Sequence, residues 1–194
     1  MMSSSTSSYS HLVHLALIFA ARKHTKPRKG THIPYITHPV HVAIILARHG
    51  FDDQVLAAAI LHDVLEDTET TPEELRTAFG DNLLRMVKDV SEPKFKRPKS
   101  ETWEQRKRAK LKHLQSASRE ALAISAADRL HNVSNTLHDI EVSGPAVWER
   151  FRRGPEKILE FERSVLEILR QRFPHPLTEE YAAALRRLEG SPRP

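Results

Sequence analysis

Cysteine is absent from the 194-residue chain, and glycine is scarce. Without thiols no disulfide can form, and a metal site would have to use imidazole and carboxylate groups. The six glycines are widely spread, and the nearest two, Gly144 and Gly154, stand ten residues apart. This spacing excludes the glycine-rich loop of P-loop nucleotidases and the G-x-G-x-x-G turn of dinucleotide-binding folds. Any phosphate bound by this chain must be held by side chains.

Long apolar runs are missing as well. No stretch approaches the roughly 20 apolar residues that are needed to span a bilayer. The N-terminal MMSSSTSSYS lacks the basic and apolar parts of a secretory signal. We therefore predict a flexible, serine-rich leader over residues 1–10, no membrane partner and a cytoplasmic location. The remaining residues, 11–194, are enough for one domain with its own core.

Helical periodicity dominates the chain, and no convincing alternation of period two is present. Pro39, Thr71 and Pro155 are residues typical of helix starts, and glycines or prolines separate the apolar segments. The pattern predicts a single all-α domain, a bundle of about eight helices that the C-terminal helices complete. Among them we expect one helix over 53–66, helices on either side of Gly80, one over 118–138 and a short one over 177–189.

The charge is formally +5 and is concentrated in one segment. Residues 92–113 carry nine lysines and arginines against three glutamates. Such a run is usually a solvated loop and helix face, and it is also compatible with a nucleic-acid surface. We favour the solvated face, so a nucleic-acid partner is not expected.

The segment LHDVLEDT places ionisable side chains at the end of an apolar run. His62 and Asp63 are adjacent, and Glu66 follows them at positions i+4 and i+3, so one helix face can carry all three. Their burial without partners would cost several kcal/mol each. His38 precedes a first-turn proline, and Asp128 lies in the apolar segment ALAISAADRLHN. These residues indicate a metal site, unless the histidines are satisfied core residues and the carboxylates are caps or ion pairs.

The order H…HD…D resembles the HD metallophosphohydrolase superfamily. The segments AARKHTKPRKGTHIPYITHPVHVA, AAAILHDVLEDTETTPEELRTAFG and ISAADRLHN are similar to the hydrolase domain of the RelA/SpoT alarmone enzymes, above all to their small stand-alone relatives. The resemblance spans roughly residues 12–170. It implies an all-α HD hydrolase domain and a divalent ion, usually Mn²⁺, bound by four residues: His38, His62, Asp63 and Asp128.

The resemblance also implies roles for six further residues. The family uses a Glu-Asp pair to orient and deprotonate the attacking water, and a basic pair and an asparagine near the substrate. The alignment also places Lys157 near the substrate, one turn before the position of the family's aromatic hydroxyl. The alternative for the acidic pair is structural support, and the alternative for the basic pair is a solvated turn. Two positions depart from the family, since Ser125 replaces a frequent lysine and Phe161 replaces an aromatic hydroxyl. The matching residues here are Glu66 and Asp67 as catalytic groups, and Arg28, Lys29, Asn132 and Lys157 as substrate-binding groups.

The function implied is removal of the 3′-diphosphate of (p)ppGpp, which gives GDP or GTP and pyrophosphate, as in the stringent response. Two alternatives remain open. The chain could hydrolyse another nucleotide, such as the 2′-phosphate of NADPH or a nucleoside phosphate, because HD folds host several phosphohydrolases. It could also be a nucleotide- or nucleic-acid-binding module without turnover. The expected partner is a phosphorylated nucleotide, and a homo-oligomer is possible.

Overall fold

The computed structural model describes residues 9–28, 30–92 and 101–193, in which helices are the dominant structure and no strand is formed. Two prolines, Pro27 and Pro34, make an isolated β-bridge. The prediction of an all-α domain is confirmed, while residues 1–8 of the predicted leader lie outside the described part. The helices are α1 (His11–Lys23), α2 (Thr37–Arg48), α3 (Asp53–Leu61), α4 (Val64–Asp67), α5 (Pro72–Val90), α6 (Trp103–Leu114), α7 (Arg119–Ser143), a 3₁₀ helix (Pro145–Arg150), α8 (Gly154–Arg172) and α9 (Pro176–Glu189).

The long helix α7 runs through the middle of the bundle and contacts α2, α3, α5, α8 and α9. Its N-terminal half is buried without interruption from Ala121 to Asp128, and four of these eight residues are alanines. Small side chains allow neighbouring helices to approach closely and still exclude water. The last residue of this buried stretch is the carboxylate Asp128. In the described part of the chain, no helix combines the length and apolarity required to cross a membrane.

One predicted helix is divided in the structure. The helix expected over 53–66 ends at Leu61, and α4 begins at Val64 after a turn at His62 and Asp63. The His62 side chain is the physical reason, because its Nδ1 lies 2.6 Å from the carbonyl oxygen of Ala59. Side chains that bond to nearby backbone groups compete with the helical ladder. The prediction of one continuous helix is therefore wrong, and the break points the two adjacent side chains into one site.

The remaining boundaries follow the sequence closely. The Thr71 hydroxyl accepts a hydrogen bond from the Glu74 N–H at 3.2 Å and so caps α5. Gly80, with φ +80°, interrupts α5 between the two predicted helices. Helix α7 continues beyond the predicted end at residue 138 and stops only before Gly144, which has φ +78°. Glycine adopts this left-handed conformation without the steric cost that other residues incur.

Candidate active site

Four predicted metal ligands converge from three parts of the fold. His38 lies in the first turn of α2, His62 and Asp63 form the turn between α3 and α4, and Asp128 ends the buried half of α7. One ligand atom each of His38, His62 and Asp128 lies within 4.8 Å of the others. Asp63 Oδ2 adjoins this group, at 3.1 Å from His62 Nε2 and 3.5 Å from His38 Nε2. Both histidines and Asp128 are buried.

The two imidazoles are held so that each Nε2 faces the carboxylates. His62 Nδ1 donates to the Ala59 carbonyl, and its buried Nε2 has no well-aligned hydrogen bond among the described residues. His38 Nδ1 lies 2.9 Å from Nδ1 of His131. Burial and the neighbouring His38 lower the pKa of His131 to about 3, so His131 is neutral and can accept this hydrogen bond. A second partner that fixes the tautomer is typical of metal-binding histidines.

The electrostatics of the cluster favour a positive charge at its centre. Burial raises the pKa of Asp63 and Asp128. The two histidines beside them and, for Asp128, Arg129 together outweigh burial and hold both pKa values below the usual range. Conversely, burial lowers the pKa of His62, but Asp63 and Asp128 raise it to about 9. The carboxylates thus favour positive charge at His62, and the same electrostatics would favour a cation bound beside it. Two nitrogens and two charged oxygens fit a divalent cation of intermediate hardness.

Asp128 is the most heavily supported carboxylate of the site. Its Oδ1 accepts from Asn132 Nδ2 at 2.6 Å, and its Oδ2 accepts from Arg129 Nη2 at 2.6 Å. Arg129 also donates to Glu162 at 3.1 Å, and Glu162 accepts from the Tyr181 hydroxyl at 2.6 Å. Arg129 thus joins Asp128 to Glu162 through two ion pairs, and it braces this side of the site.

A cleft of about 530 Å³ surrounds this cluster. The Arg28 guanidinium reaches α7, where it donates to Asn132 Oδ1 at 3.2 Å and to Asn135 Oδ1 at 3.3 Å. Lys29 lies outside the described residues. The cleft brings together eight of the ten predicted site residues: Arg28, His38, His62, Asp63, Glu66, Asp67, Asp128 and Asn132.

Lys157 does not join them in the described structure. Its side chain is exposed and pairs with Glu160 at 2.8 Å, outside the residues that line the cleft. The face of α8 toward the cleft runs through Ile158, Phe161 and Glu162. Lys157 stands at the edge of this face, about 40° around the helix from Phe161, and its side chain is turned toward Glu160. Phe161 lines the cleft and Lys157 does not, so a role for Lys157 near the substrate stays a prediction.

Glu66 and Asp67, the acidic pair that follows the turn at His62 and Asp63, have partners that the sequence did not indicate. Glu66 Oε2 accepts from the backbone N–H of Glu92 at 3.3 Å. Asp67 Oδ2 lies 2.8 Å from the Tyr35 hydroxyl, which is also 2.6 Å from Asp63 Oδ2. Sequence reasoning missed Tyr35 and Glu92. The only available signal for Tyr35 was its position three residues before His38, in the loop that leads to the site.

An apolar wall closes another side of the cleft, and sequence reasoning missed most of it. Trp103 packs edge-on against Phe161 with ring centroids 6.5 Å apart, and Phe151 and Ile158 line the same cleft. The cleft therefore combines charged groups with flat apolar surfaces. Sites for small organic ligands commonly show this combination.

Comparison with known proteins agrees with this geometry. Residues 16–153 match the HD domain family. Guanosine-3′,5′-bis(diphosphate) 3′-pyrophosphohydrolase MESH1 of Danio rerio is 40% identical over 140 residues, which cover 69% of this chain and 72% of that protein. MESH1 of Xenopus tropicalis is 39% identical over 150 residues, which cover 75% and 79%.

The fold is likewise similar to the solved structure of a metazoan ortholog of SpoT, a protein that hydrolyzes ppGpp and plays a role in starvation responses. The TM-score is 0.74 at 29% identity, and the match covers 92% of this chain and 96% of that one. The resemblance predicted from the sequence is confirmed. The chain belongs to the HD domain family.

Proposed function

We propose that this protein is a metal-dependent phosphohydrolase that removes the 3′-diphosphate of (p)ppGpp. Water would cleave the bond between the ribose 3′-oxygen and the diphosphate, so that ppGpp gives GDP and pyrophosphate. The observation that carries the proposal is the cluster of His38, His62 and Asp128, with Asp63 beside it, in a cleft that also holds Glu66 and Asp67. Curated relatives of about 40% identity are named for this activity.

His38, His62, Asp63 and Asp128 would hold the divalent ion, for which we propose Mn²⁺. The donor set is two imidazole nitrogens and carboxylate oxygens without sulfur, and the buried His62 Nε2 is available as a ligand atom. When bound, such an ion supplies Lewis acidity toward water and a phosphoryl oxygen. Arg129 and Asn132 keep the carboxylate of Asp128 fixed for this role.

Glu66 would take the proton of the attacking water, and Asp67 would support it. Both carboxylates line the cleft, and neither belongs to the closely spaced ligand atoms of the cluster. A carboxylate near the attacking water is a suitable general base. The Tyr35 hydroxyl holds Asp67 beside Asp63, which suits a supporting role for Asp67.

Arg28 and Asn132 would bind the diphosphate end of the substrate, with Lys29 as a second cation. Two asparagines of α7 hold the Arg28 guanidinium beside the proposed metal ligands. Arginine can donate to two phosphate oxygens at once, and such pairs are stronger than neutral hydrogen bonds. No glycine-rich loop is available for the same purpose.

The decisive experiment is a substrate panel with protein that has been stripped of metal and reloaded with Mn²⁺. The panel contains ppGpp, NADPH, and nucleoside mono- and triphosphates, and the products are separated by chromatography. We expect GDP and pyrophosphate in equal amounts from ppGpp, and no turnover by Asp128→Asn. Release of phosphate from NADPH alone would favour the alternative nucleotide substrate. No turnover together with salt-sensitive RNA binding would favour a binding module.

A cytoplasmic location, a link to the stringent response and assembly as a homo-oligomer stay predictions from the sequence and its resemblance. Cell fractionation, growth under starvation and light scattering of the purified protein test them separately.

A further inference from the structure

Helix α6 carries five of the lysines and arginines of the basic segment 92–113. The sequence alone did not assign a function to this segment. Three of its basic residues point inward, toward the last residue of α5 and Glu92 beyond it. Lys107 Nζ pairs with Glu92 Oε1 at 2.8 Å, Arg106 pairs with the other carboxylate oxygen, and Lys110 Nζ donates to the Val90 carbonyl at 2.6 Å. Glu92 is only 8% exposed. These residues are internal partners rather than a solvated face.

Residues 91 and 92, which follow α5, also contact the turn at His62 and Asp63 and the helix α4 after it. The Ser91 hydroxyl donates to the His62 carbonyl at 3.1 Å, and the Glu92 N–H donates to Glu66 Oε2 at 3.3 Å. Arg106 Nη1 also lies 3.9 Å from Glu66 Oε1. Residues 91 and 92 therefore connect the basic face of α6 with the proposed general base.

We infer that Glu92, Arg106 and Lys107, here called the Glu92 clamp, position the Glu66 carboxylate for proton transfer. The inference rests on the proposed function and adds positioning residues to it. Glu66 belongs to the four-residue helix α4, and the side chain of its N-cap residue, Asp63, makes no capping hydrogen bond, so the helix itself fixes the Glu66 side chain poorly. An external support is needed to hold a catalytic group within about 0.5 Å.

The electrostatics of the clamp explain why it can act as this support. Burial raises the pKa of Glu92, but Lys107, Lys110 and Arg106 together outweigh it and lower the value to about 2. A buried carboxylate of this kind remains in place only with its partners, and loss of one partner leaves an uncompensated charge. Lys107 is fixed in turn by the Phe161 ring, whose centroid lies 4.6 Å from its ammonium group. Lys107 also lines the cleft, so direct contact with substrate is the competing role.

Glu92→Gln separates the two roles. The variant keeps the backbone N–H and the side-chain shape but removes the charge that holds Arg106 and Lys107. We expect kcat to fall about tenfold or more, because small displacements of a catalytic group can cost up to about 100-fold. KM and the metal content should stay within about twofold. Glu101→Gln is the matched control, since Glu101 is exposed next to the same helix.

Two further comparisons test the route through Glu66. The double variant Glu66→Gln/Glu92→Gln should be no slower than Glu66→Gln alone, because residues that act as a unit are not additive. Lys107→Met should lower kcat as Glu92→Gln does, and Lys107→Arg should recover most of it by keeping the charge. The Lys107 pair also serves as the test if Glu92→Gln does not fold.

The outcomes separate this inference from the proposed function. Turnover by the wild type with an unchanged kcat in Glu92→Gln and Lys107→Met overturns the clamp and leaves the function intact. A raised KM at constant kcat assigns the clamp to substrate binding instead, and an additive loss in the double variant excludes the route through Glu66. If the wild type hydrolyses no member of the panel, the proposed function is wrong, and the inference about the Glu92 clamp is wrong with it.

Discussion

At the scale of single residues, the proposed function makes Glu66 the group on which the chemistry depends most. The change Glu66→Gln keeps size and hydrogen-bonding capacity but removes the ability to take a proton. We expect a fall in rate of about 10²–10⁴, with metal content and substrate affinity nearly unchanged. Single-turnover hydrolysis at saturating ppGpp and matched metal occupancy measures it. A loss below about threefold would move the base role to Asp67, and loss of the metal would make Glu66 a ligand or its support.

A substitution at Asp128 tests the proposed metal site directly. The change Asp128→Ala removes a carboxylate that lies 3.3 Å from His38 Nε2 and that Arg129 and Asn132 hold in place. Metal affinity depends on the number of charged ligands and on their fixed geometry. We expect elemental analysis to find about one ion per wild-type chain and almost none in the variant. A variant that keeps a full equivalent would remove Asp128 from the ligand set.

Arg28 should act on substrate more than on folding. In Arg28→Ala, two hydrogen bonds to asparagines on a half-buried surface are lost, which we expect to cost about 1 kcal/mol of unfolding free energy. KM for ppGpp should rise while metal content stays constant. Arg22→Ala, an exposed change on α1, is the control. Full activity per folded molecule together with a collapse of the melting temperature would show that Arg28 is structural.

The sequence predicted site residues where spacing along one helix or a known motif order fixes them. His62, Asp63 and Glu66 lie within one short stretch, and Asp128 and Asn132 are four residues apart on α7. Tyr35 and Glu92 escaped prediction because their partners are distant in sequence. Tyr35 meets Asp63 across 28 residues, and Glu92 meets Glu66 across 26. No local pattern encodes such pairs, since the packing of whole helices brings them together.

At the scale of elements, the break between α3 and α4 shows the same limit. Apolar periodicity continues through Leu61 and Val64, so it predicts one helix. The competing bond from the His62 ring to the Ala59 carbonyl and the Ser91 hydroxyl on the His62 carbonyl become visible only in three dimensions. Helix starts were predicted well, because the caps at Thr71 and the prolines of α5 and α8 act locally.

Helix α7 offers a test of such a local cap. The Ser118 hydroxyl accepts a hydrogen bond from the Ala121 N–H at 3.2 Å. Replacement by alanine should lower the unfolding free energy by about 1 kcal/mol, measured by urea denaturation. Metal content should not change, because Asp128 lies more than two turns away along the helix. Ser116→Ala, an exposed serine outside the helices, is the control. Equal unfolding free energies of Ser118→Ala and Ser116→Ala would show that packing, and not the Ser118 cap, determines where α7 begins.

At the scale of the whole molecule, the C-terminal helices reach the proposed metal site through a chain of polar contacts. Tyr181 on α9 donates to Glu162 on α8, Glu162 accepts from Arg129, and Arg129 holds Asp128. These two helices lie beyond residue 153, where the match to the HD domain family ends. The bundle therefore extends past the matched segment, and its C-terminal part contributes to the electrostatics of the site as well as to the core.

Tyr181→Phe tests whether this chain of contacts reaches the metal. The variant removes one hydroxyl and leaves the ring, so Glu162 loses one buried partner and keeps the other, Arg129. We expect a loss of about 1–3 kcal/mol in unfolding free energy and a metal affinity weakened by up to about tenfold, since outer partners of ligands affect binding at this level. Urea denaturation and competition with a metal-binding dye measure the two quantities.

Leu185→Val is the matched control, because Leu185 is also buried on α9 and one lost methylene costs about 1 kcal/mol. It destabilises the same helix without touching Glu162, so metal affinity should remain at the wild-type value. A weaker metal affinity only in Tyr181→Phe indicates that the polar contacts transmit the effect. If both variants lose stability and neither loses affinity, α9 supports the fold alone, and Arg129 holds Asp128 without its help.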